Sequence, residues 1–287
     1  MSPSFTAVRR VLNTTAYLSP RLLGGHVWRL FCEPVARDKV RDAQRPVHDQ
    51  AVVENITVNG KKVVTYRWGE GGNPVLLIHG FGGRAANFAG FVHGLQRLGV
   101  PALSYDAFGH GDSEGRGVTI LDHLAVLRQL QDEHGPFRAV IGHSFGGTTG
   151  YLALRRGIKA DRLVSIASVG EFASLPSTFC RQLGLRPVYA RELRRRTEQL
   201  FASEPDLWNA FSPVHRPEEI EQPVLVVHDR DDREVSVEQG RRIAAAYGDR
   251  AEFLETEGLG HRRILGDRTV ITKVLAFAVG DGATPDE

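Results

Sequence analysis

Short runs that are apolar throughout recur along this chain, each followed by a segment of different periodicity. That alternation is what most limits the fold. The runs "PVLLIHG", "VPALSYD", "FRAVIG", "ADRLVSIAS" and "QPVLVVHD" have too few polar residues to keep one face wet, as expected of strands buried on both faces. Between and after them lie "RAANFAGFVHGLQRLG", "TILDHLAVLRQLQDEHG", "SFGGTTGYLALRRG", "VEQGRRIAAAYG" and "DRTVITKVLAFAV", with apolar residues at helical spacing. In the second of these, Leu121, Leu124, Leu127 and Leu130 fall on one face. One more strand, "AEFLET", precedes the last helix. Strands alternating with helices predict an α/β fold: a mainly parallel sheet with helices on both faces. Ahead of it, "AVVENITVNGKKVVTYRWGEGG" reads as two β-rich runs joined at Asn59-Gly60, residues that supply the positive φ angles of a hairpin turn.

The rhythm breaks once. Residues 169–216 read as helical and loop pieces with Pro176, Pro187 and Pro205, inserted between two strands. The predicted organisation is therefore a basic arm over 1–48, a core over 49–168 and 217–280, the insertion over 169–216 and a frayed tail over 281–287. The arm carries Arg9, Arg10, Arg21 and Arg29 with no acid before Glu33, and lacks the continuous apolar stretch of a signal peptide. A helix packed on the flank of the core is the simpler reading of it. A weak contact with a membrane surface is the other.

The 287 residues are 41% hydrophobic and carry a net charge of +2, enough for a sizeable core and too balanced for a nucleic-acid binder. Cys32 and Cys180 form no CxxC pair, so neither a metal cluster nor a disulfide framework is expected, and reduced thiols fit a cytoplasmic protein.

Open α/β sheets bind ligands at the carboxyl ends of their strands. The polar residues there are His79 in "HGFGG", Asp106, Ser144, the acids Asp229, Asp231 and Asp232, and His261. A nucleophile, acids and a base thus occur in the order Ser, Asp, His. Ser144 sits in "GHSFG", a Gly-x-Ser-x-Gly turn between a strand and a helix, where the flanking glycines let the chain turn sharply and lift the hydroxyl above the sheet edge.

With "HGFGG", "GHSFGG", "HDRDDREV" and "GLGH" in that order, the chain resembles the α/β-hydrolase family from about Val52 to Val279. The resemblance implies an eight-stranded sheet with a small helical cap, and a triad of Ser144, Asp232 and His261. It puts Asp232 rather than Asp231 at the acid, and Asp229 where relatives commonly carry glycine, a departure that the backbone tolerance of Asp allows. It implies oxyanion donors at the backbone N–H groups of Phe81 and Phe145. Phe81, Phe145, Phe172 and Phe179 are the expected substrate-pocket walls. Asp106, Gly109 and Gly111 are expected to hold the serine turn from beneath, and His143 is expected to point away from the site. Arg181, Arg186, Arg191, Arg194, Arg195 and Arg196 of the insertion are either a solvated helix face or a binder of anions.

The expected function is hydrolysis of a small-molecule carboxylic ester through an acyl-enzyme, with no metal or organic cofactor. Thioester or small-amide hydrolysis would use the same residues. A noncatalytic receptor or interaction module on the same fold is the alternative of another class, and all three triad residues are present against it. Nucleophilic aspartate chemistry is disfavoured by serine at the turn. Acyl length and oligomeric state are not legible in the sequence.

Overall fold

A computed structural model describes residues 12–14 and 20–280. Eight strands form one sheet: β1 (Val52–Val58), β2 (Lys61–Trp68), β3 (Val75–Ile78), β4 (Ala102–Tyr105), β5 (Ala139–His143), β6 (Leu163–Ile166), β7 (Val224–Asp229) and β8 (Ala251–Thr256). Their order is β1-β2-β4-β3-β5-β6-β7-β8, with β1–β2 and β2–β4 antiparallel and the other neighbours parallel. This is the α/β-hydrolase fold. Asn59 and Gly60 take φ angles of 50° and 72°, so the hairpin closes with Val58 opposite Lys61.

The apolar runs divide by the strand period of two. Leu76, Ile78, Val140, Leu163 and Val226 face one core cluster, while Leu77, Ile141, Val164, Leu225 and Val227 face the other. Both faces of the central strands are therefore dry. Truncating one such side chain, as in Leu77→Ala, costs about 2–5 kcal/mol.

Helices α1 (Pro20–Cys32), α2 (Ala89–Arg97), α3 (Ile120–His134) and α4 (Phe145–Arg155) precede the insertion. Thr119 caps α3 through the N–H of Asp122, whose carboxylate returns a bond to the Thr119 N–H, and Gly135 ends the helix at φ 77°. Within 169–216 lie α5 (Leu175–Gln182) and α6 (Pro187–Leu200), each with proline in its first turn, where a missing N–H costs nothing. Helices α7 (Val237–Tyr247) and α8 (Arg268–Val279) complete the layers.

Helix α1 packs on α6 of the insertion. Val27 and Leu193 are buried there with Tyr189, and Trp28 and Phe31 pack beside them. This is flank packing against the insertion, not against the sheet. Arg9, Arg10 and the 281–287 tail lie outside the described residues. Among the described residues no helix is long and apolar enough to cross a membrane. Cys32 and Cys180 are free thiols.

Candidate functional site

Strand β5 runs directly into Ser144, which takes φ 53° and ψ −119°, a conformation that costs a non-glycine residue about 1–3 kcal/mol. The turn is tight because the chain leaving it crosses close to β3. A Cβ on Gly146 would lie 2.1 Å from the Ile78 carbonyl oxygen, and one on Gly142 would lie 2.5 Å from that of Gly146. The Ser144 N–H is held by the Ile166 carbonyl at 2.8 Å. Helix α4 starts at Phe145, so its first N–H groups, unpaired within the helix, face the serine end.

His261 follows β8 across the loop 257–259, in the first turn of a short helix, Gly260–Arg263. Its Nε2 lies 3.0 Å from Ser144 Oγ and its Nδ1 2.7 Å from Asp232 Oδ2. The other Asp232 oxygen accepts the N–H groups of Glu234 and Val235 at 2.7 and 2.8 Å. Burial raises the Asp232 carboxyl, but His228, His261 and the Val235 N–H outweigh it and hold the group well below the ordinary range. Asp231 does not touch His261. It accepts the Gly258 N–H at 2.9 Å.

Asp229 departs from the sequence expectation. It does not occupy a positive-φ turn; it ends β7, paired with Thr256. Its carboxylate accepts four bonds, from the N–H groups of Asp231 (3.0 Å), Leu259 (3.0 Å) and Gly260 (2.9 Å) and the Thr256 hydroxyl (2.8 Å). Burial raises this carboxyl and those donors lower it, with a net downward shift. Asp229 and Asp231 together fasten the backbone that delivers His261.

The neighbouring histidines are structural in contact. His143 does not point away from the site: its Nε2 donates to the His261 carbonyl at 2.8 Å, and the two rings lie 4.8 Å apart. Burial, and then the nearby His261, push it down to about 3, so it is neutral. His79 Nε2 accepts the Ala107 N–H at 3.0 Å, which leaves Nδ1–H to donate to the Gly80 carbonyl. His110 Nε2 accepts the Gly82 N–H at 2.9 Å, and burial pushes it down to about 4. Asp106 holds the loop after β3 rather than the serine turn. It accepts the Ala85 N–H at 2.9 Å and pairs with Arg84 at 3.1 Å, both side chains being buried. Gly111 is small because a Cβ there would lie 1.9 Å from the Asp106 carboxylate.

Ser144 and His261 open onto a cavity of about 1350 Å³, and Phe81, Phe145, Phe172 and Phe179 all lie on its wall. Phe145 and Phe172 have ring centroids 6.5 Å apart, and Phe179 stands edge-on to Phe31 of α1 at 5.2 Å. Three arginines of the insertion are engaged locally: Arg195 and Arg196 pair with Glu192, and Arg194 lies 4.2 Å from the Trp208 ring centre. The sequence reading missed the arm's part in the cavity, because nothing in residues 28–44 signals its distance from Ser144.

A family model described as the alpha/beta hydrolase fold matches residues 73–203. Over 151 residues, half of the chain, the sequence is 32% identical to the dihydrolipoyllysine-residue acetyltransferase component of the acetoin cleaving system of Cupriavidus necator. Over 109 residues, 34% of the chain, it is 27% identical to the monoglyceride lipase of Rattus norvegicus. The matches span 39% and 36% of those relatives' lengths, so the chain covers well under half of each. An esterase of Pyrococcus furiosus superposes with a TM-score of 0.63 at 18% identity, covering 86% of this chain and 95% of that one.

Proposed function

We propose that this chain, which has the α/β-hydrolase fold, is a serine hydrolase cleaving carboxylic esters. The observation that carries the reading is the continuous hydrogen-bonded chain Ser144–His261–Asp232 at the strained turn. Ser144 Oγ attacks the ester carbonyl carbon while His261 Nε2 takes its proton. Asp232 keeps Nδ1 protonated and stabilises the imidazolium. The oxyanion is held by the N–H groups of Phe145 and Phe81. Within the "GFGG" loop the Gly82 N–H is taken by His110 and that of Gly83 by the Gly80 carbonyl, which favours Phe81 as the loop's donor. His261 then protonates the leaving alcohol. Water, deprotonated by the same histidine, releases the acid and restores Ser144.

Thioester cleavage would use the same atoms, and a thioesterase domain is among the similar structures, with a TM-score of 0.58. The test is turnover of p-nitrophenyl and thiol esters by the parent, Ser144→Ala, Asp231→Asn and Asp232→Asn. Ser144→Ala and Asp232→Asn should lower kcat by about 10⁴-fold or more, and Asp231→Asn far less. Full activity in folded Ser144→Ala would remove the proposal.

A further inference from the structure

The cavity wall is not built by the core and the insertion alone. Two groups of aromatic contacts lie along it. One runs from Phe145 to Phe172 beside Ser144, and the other from Trp28 through Phe31 to Phe179, between the arm and α5.

The arm segment is fastened on both sides. On the core side, the Arg37 guanidinium donates to the carbonyls of Gly111, Ser113 and Gly115, and Asp38 accepts the Asn87 side-chain amide at 3.0 Å. The Cys32 carbonyl lies so close to Gly117 that a Cβ there would stand 2.4 Å from it. On the other side α1 lies on α6, where a Cβ on Gly24 would meet the Glu192 side chain at 2.8 Å. A segment tied at both ends is a fixed wall. The volume it helps to enclose exceeds the roughly 300–1,000 Å³ of pockets for drug-sized ligands.

We propose that residues 28–38 form the distal wall of an acyl site, and that the site takes a medium-to-long aliphatic acyl chain rather than an acetyl or butyryl group. This rests on the reading of Ser144 as nucleophile. The chain runs from the serine past Phe145 and Phe172 into the space bounded by Trp28, Phe31 and Phe179. Each methylene moved from water into that space raises kcat/KM by up to about fourfold.

The experiment measures kcat/KM for p-nitrophenyl acetate, butyrate, octanoate and laurate below their aggregation limits, with the full chain. The value should rise at least tenfold from butyrate to octanoate. Thr178→Trp adds bulk to the α5 wall and should lower laurate at least tenfold while lowering butyrate less than threefold. Phe31→Ala, which removes bulk from the arm, should flatten the rise, and thermal melts check that both variants fold. Equal or falling values from butyrate to laurate, or a profile unmoved in both variants, would overturn the inference while leaving the serine hydrolase reading intact. Turnover of no ester, with no fluorophosphonate labelling, would instead overturn the reading beneath it.

Discussion

Replacing Asp229 separates two accounts of the turn that carries the acid. Its carboxylate is fully buried and accepts four hydrogen bonds, three of them from backbone N–H groups. In Asp229→Asn the amide keeps one oxygen. The least damaging orientation leaves that oxygen on Asp231 and Gly260 and turns the amide nitrogen toward Leu259 and Thr256. The Thr256 hydroxyl can rotate to accept, but the Leu259 N–H then faces another donor. One charge-assisted bond is lost and one buried donor is left unpaired, a cost of about 3 kcal/mol. Asp229→Gly strips the acceptor from all four donors and costs about 4 kcal/mol or more. Equilibrium urea denaturation at neutral pH measures both, and the asparagine variant should melt about 6 °C lower. If backbone tolerance were all that Asp229 supplied, glycine would be neutral or stabilising. A glycine variant as stable as the parent, or an asparagine variant within about 0.5 kcal/mol of it, would refute the carboxylate account.

The sign of the pH dependence is fixed by the downward shift. A carboxyl held below its unfolded value of 3.8 stabilises the fold above that pH, and the contribution disappears as pH falls through the folded value. The gap between the parent and Asp229→Asn should therefore narrow in acid below about pH 4, measured by the same denaturation. His143→Leu removes the donor to the His261 carbonyl and should lower kcat about tenfold with little change in KM. Because burial holds His143 down at about 3, the acid limb of the pH–rate profile should stay where it is. Arg84→Leu leaves the buried Asp106 carboxylate without its cation and should cost about 3–5 kcal/mol in denaturation.

The sheet was legible because its information is local. The apolar runs, the Asn59-Gly60 turn and the helical periodicities each specify an element from adjacent residues. Ser144, Asp232 and His261 stand at strand ends in the chain order that the resemblance required, and the structure brings them within hydrogen-bonding distance. What the sequence did not disclose are side-chain partners far away along the chain. Asp229 reads as a turn residue until Leu259 and Gly260, about thirty positions later, are folded against it. His143 looks like a bystander until the His261 carbonyl arrives 118 residues on. The arm carries no catalytic motif, and its packing on α6 and its ties to the core put Phe31 on the cavity wall.

Everything proposed for this site depends on Ser144 being the nucleophile. The most direct test is to react the protein with a fluorophosphonate and locate the adduct by mass spectrometry. One phosphonyl group on Ser144, absent from folded Ser144→Ala and much slower to form in His261→Ala, is the predicted result. An unlabelled Ser144 in an active protein, or an adduct on another residue that accounts for the loss of activity, would contradict it.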